Sequence, residues 1–560
     1  MTQKLAQPST TMLFLGGLAA GAVALAVFLL VRLFVGGLFL PEIASQTLFS
    51  LTPGQVESKA VESLGPIAKY SALIGAVVAN VILYGLISLL SLGRLHNKLR
   101  LKGFVGNAIQ SSLFAYVILL GVGVVLFALA EADIQTKLSS IRLLVIYLVP
   151  PNITFGFILS SFYERISSRR RPIIATEKPT TASSTRSKTD IDYKKRLLLR
   201  AGIASAVALP ILYFGLGSLI SPRQAVQQSP SLLLSQFQKR SATSKPVGFE
   251  DPRLAPLLAS EITPTDLFYR IDKNPIVPVV MTSTWKLTVK GLVAKPLEIN
   301  YTELRNMPSV EEFATLECVS NKIGGELIST AVWKGVRLKD MLGKVQVMPS
   351  AKYIVFRCYD GYDVGIPLER GLFEGSILAY DMNGASLTAE HGYPIRAIVP
   401  GLYGMMNPKW ITEIELVDSI YEGYWQRKGW ANNAKYNTHS FIVIPDSAAV
   451  RQRFSNLAAS SSIAPSPSGM VPIAGVAFAG DRGISKVEVS TDGGATWKDA
   501  HLKDPLSPYT WVLWTIEVNM IDIGSHRIIA RATDKTGKVQ IAMLRNPFPN
   551  GATGYPIINI

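Results

Sequence analysis

Residues 318–342 read CVSNKIGGELISTAVWKGVRLKDML, and this stretch places a lone cysteine at the end of an alternating run. A thiolate is a soft ligand that suits a redox metal. A free cysteine is more often a small buried residue without chemistry, so Cys318 alone leaves both interpretations open. The other cysteine is Cys358, and a disulfide between the two is compatible with an oxidising compartment. Two cysteines exclude a disulfide-rich scaffold and a four-cysteine metal site.

On both sides of this stretch, short strands are mixed with short helices. The sequence WKLTV at 285–289 alternates between polar and apolar residues, which is typical of a strand. Further β-rich runs and short helical runs are found at 301–307, 338–342, 353–359 and 395–400. This mixture predicts an α+β domain that begins near Phe249.

A second, smaller domain is expected after a Ser/Pro/Ala-rich linker at 460–468. Short alternating runs follow the linker, and turn signals such as Asp-Gly-Gly separate them. These runs are 471–478, 485–490, 511–518 and 526–533. Several short strands at this spacing predict a small β-sandwich.

The first 220 residues have a different composition. The chain has 560 residues, of which 48% are hydrophobic and 17% are charged, and its N-terminal part contains five uncharged apolar runs. They are 11–31, 70–93, 103–130, 143–163 and 201–220. Each has about 20 residues or more, enough to cross roughly 30 Å of hydrocarbon. We therefore expect an N-terminal α-helical membrane domain with five spans.

Charge in the connecting loops predicts how these spans are oriented. The loop after the second span carries Arg94, Lys98, Arg100 and Lys102, and the loop after the fourth is rich in arginine. The loops after the first and third spans are acidic on balance. Because basic loops stay in the cytoplasm, we expect a multi-pass protein of the cell membrane with everything after Ile220 outside. The net charge of +16 then needs no nucleic-acid partner.

A polar segment separates the fourth span from the fifth. It is rich in Ser and Thr, and it ends in KRLLLR at 195–200. That sequence is similar to a twin-arginine export signal with Lys in place of the first Arg, and an ordinary basic flank explains it equally well. The expected division is a four-span domain at 1–163, a polar linker at 164–196, a fifth span at 197–221, an outer linker at 222–248, the α+β domain at 249–459 and the β-sandwich at 460–560.

Seven short blocks from residue 267 onward resemble one enzyme family. They are LFYRID at 267–272, the cysteine segment at 318–342, LAYDMNG at 378–384, HGYPIRAIVPG at 391–401, NPKW at 407–410, STDGGATW at 490–497 and WVLW at 511–514. Together they resemble the sulfite oxidase family of molybdopterin-dependent oxidoreductases. The resemblance implies a sulfite-oxidase-like molybdopterin domain followed by an immunoglobulin-like β-sandwich. In that family the sandwich often mediates dimerisation, so we expect a homodimer.

The resemblance also assigns roles to single residues. Cys318 would be the one protein ligand to molybdenum, with a pterin dithiolene and oxo groups as the others. Asn321 keeps a family position beside the ligand. The expected cofactor-binding residues are Tyr269, Arg270, Asp272, Asn321, Asp360, His391, Arg396, Asn407 and Lys409. The cations among them suit a phosphate, which Arg binds bidentately and Lys binds as a point charge.

Two positions depart from the pattern of the sulfite-oxidising members. Those enzymes carry a second arginine soon after the ligand cysteine, where this chain has Ile323 with Lys322 beside it. They also carry an active-site tyrosine after a Trp-Gln pair, where Trp430 stands here. Arg270 remains as an anion-binding group. The expected catalytic residues are therefore Arg270 and the residues at the two departing positions, Lys322 and Trp430. We expect a substrate other than sulfite, such as a larger or less charged S-oxide or N-oxide.

Electron transfer is expected to involve a separate partner. The sequence has no Cys-x-x-Cys-His motif, and the five apolar runs contain no histidine, so we expect no haem in this chain. A cytochrome or a membrane redox protein would then exchange the electrons. The alternative is a cofactor-free binding or assembly protein that works through the β-sandwich. A transporter is disfavoured, because the apolar runs carry no charge.

Overall fold

A computed structural model describes residues 9–35, 38–56, 59, 67–94, 103–129, 134–168, 228, 231–243, 245–274, 277–445, 470–519 and 527–559. The chain forms two compact units, Met1–Arg223 and Gln224–Ile560.

The first unit is helical. Its helices are α1 Thr10–Val35, α2 Leu40–Leu51, α3 Ile67–Ser88 with a π-helical turn at Leu89–Arg94, α4 Gly103–Leu129, α5 Ile134–Tyr147 and α6 Val149–Ser168. Four stretches are long and apolar enough to cross a membrane: Thr10–Arg32, Tyr70–Gly93, Gly103–Leu129 and Ser140–Ser167. They coincide with the first four expected spans. The fifth, at 197–221, lies outside the described residues, as does the linker before it.

Helices α1 and α3 pack closely because glycines of α1 face the neighbouring helix. A Cβ atom added at Gly17 would lie 2.4 Å from Oγ of Ser88, and one at Gly21 would lie 2.4 Å from Cβ of Tyr84. The two glycines are four residues apart, the spacing that lets apolar helices approach each other. Ser88 also donates a hydrogen bond to the carbonyl oxygen of Leu13 at 2.7 Å. These contacts make the first unit a packed bundle.

The second unit contains eighteen strands and several short helices among its described residues. The strands are β1 Lys286–Gly291, β2 Leu297–Asn300, β3 Val310–Glu317, β4 Ile328–Arg337, β5 Tyr353–Cys358, β6 Asp363–Pro367, β7 Ile377–Met382, β8 Ala385–Ser386, β9 Arg396–Ile398, β10 Ile411–Val417, β11 His439–Ile444, β12 Met470–Phe478, β13 Ile484–Ser490, β14 Lys498–Asp499, β15 His501–Leu502, β16 Val512–Asn519, β17 Arg527–Asp534 and β18 Ile557–Asn559. The helices are α7 Leu232–Thr243, α8 Ala255–Ala259, α9 Tyr301–Arg305, α10 Leu338–Val345, α11 Leu368–Gly371 and α12 Tyr424–Arg427.

Local sequence explains the two helices that were expected near 301 and 338. Helix α9 begins after Asn300, whose side chain accepts a hydrogen bond from the backbone of Glu303 while Glu303 bonds back to Asn300. This reciprocal capping box satisfies two donors at the helix start. Helix α10 buries Leu338, Met341 and Leu342 at helical spacing.

Two sheets form the first part of this unit. One has the order β2-β1-β10-β5-β6, and in it β1 and β10 are parallel. The other has the order β3-β4-β7-β8, with β9 paired to β7. Strand β3, which leads to Cys318, therefore lies at the edge of its sheet. A shared core that includes Leu287, Phe356 and Met341 lies under these strands.

Two antiparallel four-stranded sheets form the C-terminal part, with the orders β11-β12-β16-β15 and β14-β13-β17-β18. Ile473 and Trp514 of one sheet share a core with Val487 and Ile528 of the other. The first of these strands begins at His439, ahead of the boundary expected at 460. The Ser/Pro/Ala-rich linker thus joins β11 to β12 instead of preceding the sheets.

Candidate functional site

Cys318 stands on a tight turn directly after strand β3. Its backbone N–H donates to the carbonyl oxygen of Leu327 at 2.9 Å, and its own carbonyl oxygen accepts from the N–H of Asn321 at 2.9 Å. Oδ1 of Asn321 accepts from the N–H of Leu327 at 3.0 Å, which closes the turn. The sulfur lies 3.0 Å from Oγ of Ser320, and the residue is 8% exposed. Backbone hydrogen bonds on both sides therefore fix the direction of the thiol.

Glu317, the last residue of β3, is buried next to this turn. Nδ2 of Asn321 donates to its Oε1 at 2.9 Å, and Nε2 of His439 lies 3.3 Å from its Oε2. Burial raises the pKa of Glu317 to about 8, against the lowering effect of the Asn321 hydrogen bond. Burial lowers the pKa of His439 to about 4, so its imidazole is neutral at pH 7. The carboxyl group thus has polar neighbours on two sides.

Tyr269 lies near both the cysteine turn and Arg396. Burial raises the pKa of its hydroxyl well above the usual value, Cys318 adds to this effect, and Arg396 opposes it. A Cβ atom at Gly404 would lie 2.3 Å from the Tyr269 hydroxyl and 3.2 Å from the carbonyl oxygen of Glu317. The backbone at Gly404 can approach because glycine has no side chain. The structure therefore brings half-buried Tyr269 close to the buried residues Cys318 and Arg396.

Asp272 binds two cations at the side of this region. Nε of Arg270 lies 3.1 Å from its carboxylate, and Nζ of Lys409 bonds the same group. Burial lowers the pKa of Lys409, and Asp272 opposes that shift. Gly392, at φ +106°, allows the chain to pass between the two basic residues, since a Cβ atom there would lie 3.0 Å from Lys409 and 3.1 Å from Arg396. Four of the expected site residues are thus neighbours.

Arg396 and His391 stand on opposite ends of one short loop. Nη1 of Arg396 donates to the carbonyl oxygen of His391 at 3.3 Å, and Nη2 donates to that of Asn407 at 3.4 Å. Burial lowers the pKa of His391 to about 4, and the charge of Arg396 adds to this. Nε2 of the neutral imidazole lies 2.8 Å from the carbonyl oxygen of Thr265. As Nε2 donates there, Nδ1 remains an acceptor.

Two expected cofactor residues use their side chains to hold the backbone. Oδ1 of Asn407 accepts from the N–H of Val399 at 2.6 Å, and its Nδ2 donates to the carbonyl oxygen of Leu402 at 3.1 Å. Oδ1 of Asp360 accepts from the N–H of Tyr362 at 3.0 Å. Asn407 and Asp360 therefore shape the loops beside the other residues.

Lys322 and Trp430 lie in different surroundings. Lys322 is exposed on the turn after Asn321. Trp430 is 7% exposed and packs edge-on against Phe548, with 5.1 Å between the ring centroids. Trp430 therefore contacts the C-terminal segment, a set of contacts separate from those around Tyr269.

Arg396 tests whether these residues fit the phosphate-bearing cofactor that the family resemblance implies. The residue is 6% exposed, and its Nε has no hydrogen-bond partner among the described residues. Burial lowers its pKa to about 10, so the guanidinium is charged at pH 7. A buried cation with incomplete hydrogen bonds fits an anion such as a phosphate, because isolated buried charge is costly. The hydrogen-bond donors of Arg396 therefore fit the phosphate-bearing cofactor.

Sequence reasoning missed Glu317 and His439. Glu317 is an acidic residue at the buried end of an apolar strand, and that conflict with its surroundings was a usable signal. His439 had no such signal, because its neighbour Glu317 is 122 positions away in the chain. Only the pairing of β11 with the rest of its sheet brings the two together.

Two family models match the second unit of the chain. Residues 274–425 match the family model of the oxidoreductase molybdopterin binding domain, and residues 433–546 match that of the Mo-co oxidoreductase dimerisation domain. The sulfite oxidase of Gallus gallus is 31% identical over 345 residues, which are 54% of this chain and 72% of that protein. The chain belongs to the sulfite oxidase family. It is a molybdopterin-dependent oxidoreductase, so the alternative of a cofactor-free binding protein is not supported.

Other members of the sulfite oxidase family show the same range of similarity. The sulfite oxidase of Arabidopsis thaliana is 28% identical, over 53% of this chain and 86% of that protein. Nitrate reductase [NADH] 1 of Oryza sativa subsp. japonica is 28% identical, over 56% of this chain and 39% of that protein. Among solved structures, the sulfane dehydrogenase SoxCD from Paracoccus pantotrophus is similar with a TM-score of 0.46 and 23% identity, over 58% of this chain and 89% of that one. The sulfite oxidases and the nitrate reductase differ in their printed activities, so the sequence similarity leaves the substrate open.

Proposed function

We propose that this protein is a membrane-anchored oxidoreductase that moves an oxo group to or from a small substrate outside the cytoplasmic membrane. The observation that carries the proposal is that half-buried Tyr269 lies close to the buried residues Cys318 and Arg396. A thiol, a phenol and an unpaired guanidinium nitrogen in one place suit a metal-bearing anionic cofactor better than a structural core.

Residues of this region would hold the cofactor. Cys318 would supply the single protein ligand to molybdenum, and Arg396, Lys409 and His391 would bind the pterin and its phosphate. When bound, the cofactor supplies a metal that changes oxidation state by two electrons as an oxo group moves. The protein binds and orients this group, places positive charge near the anion and excludes water.

The charges around Arg270 argue for a substrate other than sulfite. Arg270 pairs with Asp272, which also binds Lys409, so one carboxylate offsets part of the positive charge. Lys322 is exposed, and Trp430, whose ring packs against Phe548, carries no hydroxyl where the sulfite-oxidising members have a tyrosine. A neutral S-oxide or N-oxide needs less positive charge for binding than a dianion does.

The membrane part and the C-terminal part complete the proposal. We propose five spans with the first unit's basic loops in the cytoplasm, and an immunoglobulin-like C-terminal domain that begins with strand β11 and forms a homodimer. The match to a dimerisation domain supports the last point. Electrons would pass to or from a separate cytochrome or membrane redox protein.

The first test is molybdenum per chain in detergent-purified protein from a host that makes the cofactor, with Cys318→Ser prepared in parallel. Near-stoichiometric molybdenum in the wild type and an altered electron paramagnetic resonance spectrum of its Mo(V) state in the variant support the proposal. An identical spectrum in the variant contradicts the cysteine ligand. Turnover of dimethyl sulfoxide, trimethylamine N-oxide and sulfite with artificial redox dyes then ranks the substrates, and fast sulfite turnover contradicts the substrate class.

Sidedness has its own test. Alkaline phosphatase fused after residue 248 is expected to be active, and the same enzyme fused within 94–102 is expected to be inactive, since it folds only outside the cytoplasm. The reverse pattern contradicts the proposed orientation.

A further inference from the structure

The C-terminal domain closes the free edge of strand β3, the strand that carries Cys318. Oγ of Ser507 donates to the carbonyl oxygen of Phe313 at 2.6 Å. The N–H of Thr315 donates to the carbonyl oxygen of Tyr509 at 3.0 Å, and the N–H of Trp511 donates to Oγ1 of Thr315 at 2.9 Å. Phe313 and Thr315, two residues apart on β3, thus bond this loop, as expected when a segment covers an open sheet edge.

The same pattern continues to Glu317 at the end of the strand. The N–H of Glu317 donates to the hydroxyl of Tyr436 at 3.3 Å, and its carboxyl group lies between Nδ2 of Asn321 and Nε2 of His439. Oε2 of Glu317 and Nε2 of His439 are both buried, lie 3.3 Å apart and make no hydrogen bond among the described residues. Burying two polar atoms without hydrogen bonds costs free energy, and at 3.3 Å each atom lies within reach of the other.

We propose that Glu317 is a positioning residue for the metal site, and that its carboxyl group fixes the Cys318 turn by joining Asn321 to His439 of the C-terminal domain. This inference rests on the proposed role of Cys318 as the molybdenum ligand. Asn321 closes the turn through Leu327, so a carboxyl group that holds Asn321 also holds the direction of the sulfur. The C-terminal domain is then part of the catalytic machinery as well as a dimerisation module.

Substitutions at Glu317 separate positioning from packing. Glu317→Gln retains an acceptor for Asn321 and a donor for Nε2 of His439, so both contacts survive. Glu317→Ala removes both contacts. His439→Leu removes the contact with Glu317, together with the bond between Nδ1 and the carbonyl oxygen of Asn437, and leaves the Asn321 contact in place. Glu311→Ala is the matched control, because Glu311 lies on the same strand and binds the backbone and side chains of 231–233 instead.

The primary experiment measures how fast iodoacetamide alkylates Cys318 in the full chain, made in a host that lacks the cofactor and purified in detergent. Cys358 serves as an internal reference, since it is buried to 7% exposure on another sheet. Peptide mass spectrometry gives the alkylation rate of Cys318 divided by that of Cys358. We expect Glu317→Ala and His439→Leu to raise the ratio about tenfold, because a local opening exposes the turn alone. Glu317→Gln and Glu311→Ala are expected to stay within about twofold of the wild type.

Three outcomes overturn the inference. One is an unchanged ratio in Glu317→Ala, and another is a Glu317→Gln variant that behaves like Glu317→Ala. The third is a parallel rise at both cysteines, which indicates a loss of the whole fold. An unchanged ratio in His439→Leu overturns the contribution of the C-terminal domain.

The spectrum of the loaded enzyme supplies a second readout. We expect the Mo(V) resonance of Glu317→Ala to broaden or split, since a loose turn presents the sulfur in several directions, and that of Glu317→Gln to match the wild type. If Cys318→Ser leaves the resonance unchanged, the ligand assignment fails. The alkylation ratio still decides whether Glu317 holds the turn, so the two failures are distinguishable.

Discussion

The guanidinium of Arg396 lies over the ring of Trp333, with 5.0 Å between the guanidinium carbon and the ring centroid. Trp333 is fully buried, so this cation is set in an apolar wall while one of its nitrogens lacks a hydrogen bond among the described residues. A residue selected for stability alone has little reason to adopt this arrangement, because desolvating a charge is costly. Replacing Arg396 is therefore expected to weaken cofactor binding without lowering the stability of the fold.

Arg396→Gln is expected to lower the molybdenum content more than about tenfold without lowering the melting temperature of the apo-protein, because an isolated buried charge costs stability. Tryptophan fluorescence is a suitable probe, since all eight tryptophans lie at or after Trp285, in the second unit. The measurement is molybdenum per chain together with the melting temperature of cofactor-free protein in detergent.

Arg305→Gln is the control for this prediction. Arg305 donates to Asp381 at 2.8 Å, and Asp381 is 1% exposed, so the loss of the Arg305 guanidinium leaves a buried carboxylate without that partner. Arg305→Gln is therefore expected to lower the melting temperature, as breaking a buried pair costs about 3–5 kcal/mol. A fall of similar size in Arg396→Gln would show that Arg396 is structural and would contradict the prediction.

Arg270→Gln tests the proposed substrate class. We expect KM for sulfite to rise about tenfold, because a charge-assisted hydrogen bond to a dianion is worth roughly 1.5–3 kcal/mol, reduced here by solvent. KM for dimethyl sulfoxide is expected to rise less than KM for sulfite, since a guanidinium bonds a neutral oxygen more weakly than it bonds a dianion. Steady-state kinetics with both substrates give the two values.

Lys290→Gln, on the exposed side of β1 and paired with Glu413 at 3.0 Å, controls for the loss of one positive charge. Equal changes for the neutral and the anionic substrate in Arg270→Gln would mean that Arg270 acts on the cofactor alone.

Trp430→Tyr tests the second departure from the sulfite-oxidising members. A tyrosine keeps an aromatic contact with Phe548 and adds a hydroxyl, so the ratio of sulfite to S-oxide turnover is expected to rise. Trp430→Ala instead creates a cavity, and Phe→Ala or Trp→Ala changes in cores cost about 3–5 kcal/mol. Phe548→Ala is the matched control, because it removes the partner ring and leaves Trp430 in place. A turnover ratio that moves as much in Phe548→Ala as in Trp430→Tyr would contradict a direct role.

Much of the fold follows from local sequence. The strands at 286–291 and 353–358 and the helices at 301–305 and 338–345 lie where alternation and helical spacing predict them. Their patterns are local, because burial on one face requires a period of two or of about 3.6 residues. The start of the C-terminal sheets at His439 was not predictable in the same way. The polar composition at 460–468 suggested a domain boundary, but β11 pairs with β12 across this stretch of the sequence.

The site residues also differ in whether local sequence predicts them. Motif blocks indicate Arg396, Lys409 and Asp272 because each lies within a short conspicuous segment, although the pairing of Asp272 with Lys409 across 137 positions needs the fold. Glu317 carries only the weak signal of an acid at the end of an apolar strand, and the role of His439 becomes visible only when burial and distance are known. A long-range contact between two ordinary residues leaves no pattern in either segment.

Asp534 provides the prediction on pH. Its carboxylate accepts from Nε of Arg482 at 2.8 Å and from Oγ1 of Thr438 at 2.8 Å, and its other oxygen accepts from the N–H groups of Thr536 and Lys538, both at 3.0 Å. Burial alone would raise the pKa of Asp534, but the hydrogen bonds from Arg482, Thr536 and Thr438 outweigh it and hold the pKa well below its usual range.

A carboxyl group whose pKa is lower in the folded state stabilises the protein above its unfolded pKa of about 4 and loses this contribution as the pH falls further. The melting temperature of the second unit is therefore expected to fall between about pH 4 and pH 2 in part through Asp534. Asp534→Asn is expected to be less stable at pH 7 and to show a smaller acid-dependent loss than the wild type. Asp499→Asn is the control, since Asp499 has an exposed side chain on strand β14. Parallel pH profiles for Asp534→Asn and the wild type would contradict the assignment of this acid-labile contribution to Asp534.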